Sequence, residues 1–490
     1  MLFNSVHFAI FFPIVVTLYF LLPHKFRWIL LLIASYYFYM AWIPIYVLLL
    51  FASTIVDYIS GLLLGKTETE YKRKLILLCS LIVNLGILFT FKYYNFFMDS
   101  IEKLSISLNI PINMHYSSLL LPIGISFYTF QTLAYTIDVY KRKIKPEKHF
   151  GIFALYVTFF PQLVAGPIER ADTLIPQLKQ SHDFNIKRVS DGLKLMAWGL
   201  FKKVVVADRL GMMSAYVFAN PQSHQGPGLL FAMIFSSWQI YCDFSGYSDI
   251  AVGSAKILGI NLIQNFERPY FSRSFPELWR RWHISLMNWF RDYVFYPLGG
   301  SRYGTLNTCR NLIIVFTLSG LWHGANWTYI FWGFLMGVCL VLSLLTRDIR
   351  KIIIEKIGLT HFPKIHQGIQ MLMTYSIFLF FGVPFRAEKI GDVFYIWSHL
   401  LTGWTNPTRG LDFDDFVVSL GMPTEQEFNT AIVSLLFLIV VEAFQSYGIS
   451  LREKLEQRNM VLRWTCYYIF LFLIAFYGVW NSSPFIYFQF

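Results

Sequence analysis

The chain has 490 residues, of which 56% are hydrophobic, 19% aromatic and only 14% charged, and its mean hydropathy is +0.49. Soluble globular proteins carry about a quarter charged residues, so the composition excludes an ordinary soluble globular protein. The net charge of +12 fits the Lys and Arg that membrane proteins retain on cytoplasmic loops. We expect no nucleic-acid partner, because no soluble basic domain is present to bind one.

Charged residues are segregated along the chain and leave repeated apolar runs near the roughly 20 residues that a membrane-spanning helix needs. These runs are continuous, whereas membrane β-barrels show short segments of alternating polarity. The sequence therefore predicts an all-α polytopic protein of the lipid bilayer, with roughly ten to twelve transmembrane helices. The clearest predicted spans are Val6–Leu22, Trp28–Trp42, Pro44–Leu64, Leu75–Met98, Leu119–Val139, Leu229–Leu258, Ile369–Val383, Ala431–Phe444 and Trp464–Trp480.

Basic residues in the loops between the first five spans predict an orientation. They cluster at His24–Arg27, Lys66–Lys74 and Lys141–Lys148, which follow the first, third and fifth spans. Because cytoplasmic loops carry the excess of Lys and Arg, this alternation predicts an N-terminus outside the cytoplasm. The first apolar run lacks a basic leader and a cleavage signature, so we expect it to be retained as a span.

Three segments depart from the pattern of simple spans. Phe150–Gly166 is apolar, short and interrupted by proline, which predicts a re-entrant segment shielded by protein. Asp172–Lys203 is amphipathic, with Lys202 and Lys203 at its end, and we expect it along the cytoplasmic face. Arg386–Glu427 is mixed in polarity and predicts an extramembrane insertion.

Two carboxylates, Asp243 and Asp249, interrupt an apolar run in the segment Tyr241-Cys-Asp-Phe-Ser-Gly-Tyr247-Ser-Asp. A carboxylate in a span costs roughly 2.5–3.5 kcal/mol on insertion scales. Two interpretations remain open. One is structural pairing with an arginine of the following segment, and the other is direct chemistry at a polar cavity. The candidate arginines are Arg280, Arg281 and Arg291.

The arginine-rich stretch from Arg268 to Arg310 carries an aromatic stripe when it is placed on a helical wheel. His283 lies at the edge of this stripe. The stripe fits one amphipathic helix packed against the bundle, or the wall of an apolar channel with cationic groups nearby. Its members are Trp279, Trp282, Leu286, Trp289, Phe290 and Tyr293.

His323, in Trp322-His323-Gly324, lies between two apolar runs that are long enough to enter a membrane. An ionisable residue is costly at such a place, so we expect it to have a function. Several chemistries are disfavoured. The chain has no Gly-x-Ser-x-Gly motif and no P-loop. His283 and His323 lack metal-binding spacing, and the five cysteines form no CxxC pair, so we expect no metal site.

A buried imidazole at position 323 is expected to be neutral, because burial disfavours the charged form. Such a ring accepts a proton from a hydroxyl that attacks a thioester. Trp322, Trp327 and Trp332 would keep water out, and Asn326 would orient the ring or stabilise an oxyanion. Cytoplasmic arginines suit the phosphates of an anionic donor. The alternative is a histidine that only packs.

Six ordered motifs, together with the opening Met-Leu-Phe-Asn-Ser, resemble the membrane-bound O-acyltransferase family over nearly the whole chain. The similarity is to its bacterial subgroup of alginate and peptidoglycan O-acetyltransferases, with teichoic-acid D-alanyltransferases more distant. The motifs are Leu121-Pro-Ile-Gly-Ile-Ser-Phe-Tyr-Thr-Phe-Gln131, Phe160-Pro-Gln to Gly166-Pro-Ile168, Asp243-Phe-Ser-Gly-Tyr-Ser-Asp249, Phe275-Pro-Glu-Leu-Trp-Arg-Arg-Trp-His283, Tyr296-Pro-Leu-Gly-Gly300 and Gly320-Leu-Trp-His-Gly324.

The resemblance implies one integral-membrane domain over residues 1–490, with the motifs within about 119–345, built as a ring of helices around a central tunnel. It implies that His323 is the catalytic base and that His283 is a second catalytic histidine. Acetyl-CoA would be the donor substrate, and no bound cofactor is expected. Further substrate or donor-tunnel candidates are Trp322, Asn326, Trp279, Trp282, Arg280, Arg281, Asp243 and Tyr247.

The same resemblance implies a place in the bacterial cytoplasmic membrane and a periplasmic or surface partner transferase of SGNH type. The final acceptor would be an envelope polysaccharide of peptidoglycan or alginate type. Two other functions stay open at this point. A proton-coupled transporter or flippase would use the buried aspartates and histidines as a relay, and a noncatalytic scaffold would turn over no donor.

Overall fold

All regular secondary structure in the computed structural model is helical over residues 1–110, 112, 114–408, 410–480 and 485–486, the part of the chain that the structure describes. The chain forms two units. Met1–Met196 and Ser248–Gln264 belong to the first, and Ala197–Tyr247 and Asn265–Ile486 belong to the second. The predicted all-α fold is confirmed.

The first unit consists of helices joined mainly by short loops, together with a π-helical turn at Phe89–Tyr93 that joins α4 to α5. Its helices are α1 Val6–Leu21, α2 His24–Met40, α3 Tyr46–Lys66, α4 Glu70–Leu88, α5 Tyr94–Ser107, α6 Ile125–Tyr140, α7 Phe150–Thr158 and α8 Ala171–Lys179. The chain passes between the units within α9 (Ile186–Leu200) and α11 (Gly226–Leu258).

The second unit contains the motifs around both candidate histidines, and two of its helices are continued by π-helical turns at Phe201–Ala207 and Arg291–Phe295. Its other helices are α10 Asp208–Ala219, α12 Phe275–Arg281, α13 Ile284–Phe290, α14 Gly304–His323, α15 Trp327–Leu345, α16 Arg347–Lys356, α17 Pro363–Arg386, α18 Ile390–His399, α19 Phe413–Ser419, α20 Glu425–Ser446, α21 Leu451–Glu456 and α22 Met460–Tyr477. Short 3₁₀ turns lie at Pro221–Ser223, Pro269–Phe271 and Leu359–His361.

Six helical stretches of the described chain are long and apolar enough to cross a membrane, which makes this a multi-pass membrane protein. They are Tyr46–Lys66, Glu70–Ser107, Trp327–Leu345, Pro363–Arg386, Glu425–Ser446 and Met460–Tyr477. The prediction of ten to twelve spans also counted shorter apolar helices, such as the 16-residue α1. Another of these, α6, begins at Ile125 and not at the predicted Leu119, because Gly124 precedes it in a left-handed conformation.

The three unusual segments take distinct structures. Phe150–Gly166 is a nine-residue helix followed by turns, and the whole stretch from Gly151 to Glu169 is buried, as expected for irregular backbone shielded by protein. The segment 386–427 carries α18 and α19, and Val393 and Val417 within these helices are buried. It is therefore folded against the rest of the second unit.

The amphipathic prediction for Asp172–Lys203 is wrong at its C-terminal end. Lys202 and Lys203 are 4% and 1% exposed. They belong to the π-helical turn Phe201–Ala207, in which all seven residues are buried. This end of the segment therefore lies in the interior of the second unit and has no polar face.

Helices α14 and α15 form a tightly packed antiparallel pair, and their backbones meet at Gly320 and Gly333. A β-carbon added at Gly320 would lie 2.2 Å from the Tyr329 carbonyl oxygen, and one at Gly333 would lie 2.3 Å from the Phe316 carbonyl oxygen. Small residues at such a crossing allow close helix contact inside membranes. α14 ends at His323, three residues after this contact.

We expect Gly320→Ala to lower the free energy of unfolding by about 1–3 kcal/mol, since the added methyl group forces apart a close-packed contact. Gly382→Ala is the matched control, because a β-carbon there meets no atom within 4 Å. The control should be neutral or should stabilise α17 by about 0.5–1 kcal/mol. Thermal unfolding in detergent measures both, and equal stability of the two variants would contradict the packing account.

Candidate active site

His323 is the last residue of α14, and its side chain is only 4% exposed. Three aromatic side chains surround the imidazole in edge-to-face contacts. Its ring centroid lies 5.0 Å from that of Trp322, 5.3 Å from Trp332 and 5.3 Å from Phe385. Residues of α14, α15 and α17 thus enclose the ring, and the side chain is sheltered from lipid.

This enclosure differs from the prediction in two members. Trp327 was expected to exclude water from the site, but its side chain is 56% exposed. Phe385, near the end of α17, occupies that role and was missed. No sequence signal links Phe385 to His323, since the two residues are brought together only by the packing of α15 on α17.

His283 lies beside His323, with a distance of 6.4 Å between the two ring centroids. Its side chain is 1% exposed and contacts the rings of Phe244 at 4.6 Å and Trp322 at 6.0 Å. Burial lowers the pKa of the His283 imidazole to about 3, so this ring is neutral at physiological pH. The structure therefore brings together the two histidines that the sequence singled out.

The backbone at His283 corrects the prediction of a single amphipathic helix. α12 ends at Arg281, and His283 adopts the left-handed conformation (φ +44°) before α13 begins at Ile284. Asn265 holds this break. Its backbone carbonyl accepts from the Ile284 amide at 2.9 Å, and its side-chain oxygen accepts from the Ser285 hydroxyl at 2.6 Å. A helical wheel cannot represent a chain that turns at His283.

The two tryptophans of this segment that were predicted as donor-tunnel candidates, Trp279 and Trp282, are buried and form an aromatic wall. Trp279 packs 5.9 Å from Trp332, the same side chain that contacts His323. Trp282 lies 5.2 Å from Phe266, a neighbour of His283. These two members of the predicted aromatic stripe thus lie on a buried surface. The segment that carries the stripe forms two short helices and not one.

The two adjacent arginines have different surroundings. Arg281 forms an ion pair with Glu277 one helical turn earlier, at 2.6 Å. Arg280 is exposed at the end of α12. Arg291, the third arginine considered as a partner for the buried aspartates, pairs with its neighbour Asp292 at 2.9 Å.

Asp243 pairs with a lysine, which corrects the prediction of an arginine partner. Its Oδ1 accepts from Lys203 Nζ at 2.6 Å, and the same Nζ lies 2.8 Å from Asp208. Its Oδ2 accepts from the Ile486 amide at 2.7 Å. Lys203 was missed because the sequence pattern placed it on a polar surface.

Tyr247 belongs to the same cluster. It is 1% exposed, and its ring stands edge-on to Phe485 with 4.6 Å between the centroids. Lys203 Nζ lies 4.5 Å from the centre of the Phe485 ring. The cluster therefore ties the described end of the chain, Phe485 and Ile486, to α11 and the π-helical turn.

Asn326 begins α15 as its N-cap. Its side-chain oxygen accepts from the Thr328 amide at 3.1 Å, and its Nδ2 donates to the Glu388 carbonyl at 3.2 Å. These bonds fix the turn that follows His323 and tie it to the segment after α17. The roles predicted for Asn326 at the imidazole or at an oxyanion stay predictions.

We expect Lys203→Met to lower the free energy of unfolding by about 3–5 kcal/mol, because it leaves two buried carboxylates without their cation. The matched control is Lys103→Met, which removes an ion pair with Asp99 whose partners are 73% and 42% exposed. That loss should cost at most about 1 kcal/mol. Thermal unfolding in detergent measures both, and adding Asp243→Asn and Asp208→Asn to Lys203→Met should recover part of the stability.

A family model and several known proteins are similar to this chain. The model of the membrane-bound O-acyltransferase family matches residues 148–385, which include both histidines. A protein of Pseudomonas putida named probable alginate O-acetylase is 39% identical over 390 residues, or 79% of this chain and 77% of that protein. A peptidoglycan O-acetyltransferase of Helicobacter pylori is 34% identical over 74% of this chain and 71% of that protein.

A more distant similarity is to a teichoic acid D-alanyltransferase of Streptococcus thermophilus, which is 31% identical over 46% of this chain and 57% of that protein. The extent of the two closer matches decides the assignment, since each covers more than two thirds of the relative. The chain belongs to the membrane-bound O-acyltransferase family and is an O-acyltransferase.

Proposed function

We propose that this protein takes acetyl from cytosolic acetyl-CoA, with His323 as the base, and passes it across the membrane for O-acetylation of an envelope polysaccharide. The observation that supports this most directly is the enclosure of the His323 imidazole by Trp322, Trp332 and Phe385, with a second imidazole alongside. A base in a dry aromatic site suits transfer of an acyl group that water would otherwise hydrolyse.

The reaction uses one proton transfer in each direction. Neutral His323 takes the proton from the hydroxyl of the group that receives the acetyl. At the same time, the hydroxyl oxygen forms a bond to the thioester carbonyl carbon. The resulting tetrahedral intermediate collapses, the C–S bond breaks, and the imidazolium returns the proton to the departing CoA sulfur. His283 is close enough to contact the same substrate, and as a neutral ring it offers a hydrogen bond without adding charge.

The basic loops of the second unit support a membrane orientation for the site. Arg347, Arg350, Lys351 and Lys356 lie between α15 and α17, and Arg452, Lys454 and Arg458 lie between α20 and α22. The segment between α17 and α20 contains Lys389 and Arg409, with more acidic residues. The excess of Lys and Arg assigns the first two loops to the cytoplasm and the 386–427 segment to the outside.

The donor then approaches from the end of the unit that carries Arg280. Arg268 donates to the carbonyl of Gln445 at the end of α20, and the Glu267 amide donates to the Arg281 carbonyl. These contacts connect the end of α12 to the end of α20 that precedes the basic loop 447–459. Arg280, which is exposed there, is suited to a phosphate of CoA, whereas Arg281 is already paired with Glu277.

The acceptor side is inferred from the relatives. Their names specify O-acetylation of alginate and of peptidoglycan, and both are polysaccharides outside the cytoplasmic membrane. We assign this chain to the bacterial cytoplasmic membrane, with its N-terminus outside, and to a partnership with a periplasmic or surface SGNH-type transferase. The partner would deliver the acetyl group to the polysaccharide.

We expect His323→Ala to reduce thiol release from acetyl-CoA by about 100-fold or more, because the base is lost. His283→Ala should impair release less. His361→Ala, at an exposed position outside the site, should leave it unchanged. The assay uses purified protein, labelled acetyl-CoA and an acceptor, and release by His323→Ala at the wild-type rate would refute the proposal.

Arg280→Glu should raise the KM for acetyl-CoA about tenfold while kcat changes little, since a phosphate contact holds substrate and transition state alike. The control is Arg302→Glu, which reverses another exposed arginine, in the turn that precedes α14. Initial rates over a range of acetyl-CoA concentrations separate the two constants. An unchanged KM in Arg280→Glu would remove this residue from the donor site.

A further inference from the structure

A cavity of about 430 Å³ lies in the second unit, away from the two histidines. It is formed by the end of α10, the turn that precedes α11, the first residues of α11, and residues of the stretches 403–407 and 416–420. Its volume falls within the roughly 300–1,000 Å³ of small-molecule sites. Neither the family motifs nor the proposed reaction uses it.

The walls of this cavity are held together by direct backbone contact. A β-carbon at Gly226 would lie 2.1 Å from the Thr402 carbonyl oxygen, so the start of α11 packs closely on the 386–427 segment. Gly421 has φ +84°, and a β-carbon there would lie 2.4 Å from Tyr216 Cβ. The cavity is therefore a feature of the packed fold and not a gap between loose loops.

The lining combines polar neutral groups with aromatic rings. Hydroxyls, amides and an imidazole come from Tyr216, Ser223, His224, Gln225 and Asn406, and the described residues that line the cavity include no Asp, Glu, Lys or Arg. Amide and hydroxyl groups both donate and accept hydrogen bonds. Such a lining matches a ligand that carries many hydroxyls and no charge.

The cavity lies at the same end of the unit as the turn after His323. Asn326 donates to the Glu388 carbonyl, and α18 follows directly. From α18, the Tyr395 hydroxyl donates to the carbonyls of Gln222 at 3.0 Å and His224 at 3.2 Å, beside the cavity. By the charge argument above, this end faces outward.

We propose that this cavity binds an uncharged pyranose unit of the envelope glycan, such as an N-acetylhexosamine, and so holds the acceptor strand near the outer end of the acyl path. The inference rests on the proposed function for its choice of glycan. A uronate would bring a carboxylate to a lining whose described residues include no Lys or Arg, which is unfavourable. Acidic residues of the same segment, Asp412, Asp414 and Asp415, further disfavour a polyanion.

The test measures binding of two soluble trisaccharides to the full chain in nanodiscs, by saturation-transfer NMR and titration. One is the N-acetylglucosamine trisaccharide and the other is a mannuronate trisaccharide. The neutral sugar should bind saturably and the uronate at least about tenfold more weakly. Preference for the uronate, or no saturable binding of either sugar, overturns the proposal; the latter result points to a protein segment as the occupant.

Tyr216→Ala removes an aromatic wall and should weaken binding of the neutral trisaccharide about tenfold. The matched control is Tyr447→Ala, since both tyrosines are largely exposed, at 54% and 76%, and Tyr447 is outside the cavity. Ser419→Trp fills the cavity from an exposed position and should abolish binding. Wild-type binding by Ser419→Trp and Tyr216→Ala would contradict the assignment.

The proposed sugar site and the proposed acyltransfer function can be tested independently of each other. His323→Ala should lose thiol release but retain binding of the neutral trisaccharide. A protein that releases thiol through His323 but does not bind the sugar keeps the proposed function and loses this inference. Sugar binding without His323-dependent release would leave the cavity occupied and remove the proposed function.

Discussion

The close contact of α14 and α15 positions the candidate active site. The two backbones touch at Gly320 and Gly333, and this contact leaves His323 at the end of α14 with Trp332 of α15 beside it. A side chain at either glycine would separate the helices and move the imidazole away from its aromatic neighbours. Because the interior of the second unit is close-packed, a shift at this crossing would pass to the rings around both histidines.

A second constraint is the pairing of buried charged side chains inside the second unit. Lys203, Asp208 and Asp243 are buried together, and the lysine bridges the two carboxylates. The transporter alternative used Asp243 as a proton relay, but in this arrangement the carboxylate is held by an ammonium group and by the Ile486 amide. Replacing a whole buried ion group by hydrophobic residues often costs nothing, whereas removing the lysine alone leaves two buried carboxylates without their cation.

The sequence predicted the parts of the fold and site that depend on local pattern. Long apolar runs identified the helices. The buried Trp279 and Trp282 were found because aromatic residues repeat at helical spacing around His283, and the buried Trp322 was found because it adjoins His323. What it could not supply depends on departures from regular geometry. A left-handed residue at His283 divides one predicted helix into two, and Lys203 lies in a π-helical turn whose residues are all buried. Phe385 is distant in sequence and is joined to His323 by tertiary packing alone.

The contacts within the second unit also suggest why two histidines lie together at its centre. On the side of His283, the Arg281 carbonyl accepts a hydrogen bond from the Glu267 amide. The next residue, Arg268, donates to the end of α20, which precedes a basic loop. On the side of His323, the nearby Asn326 donates a hydrogen bond to the Glu388 carbonyl, in the acidic segment that we assign to the outside. The two ring centroids are only 6.4 Å apart, so the histidines join connections from opposite ends of the unit. A single acyl transfer there would need only a short path between the donor side and the acceptor side. The aromatic wall would exclude water, which would otherwise hydrolyse the acyl group before its transfer.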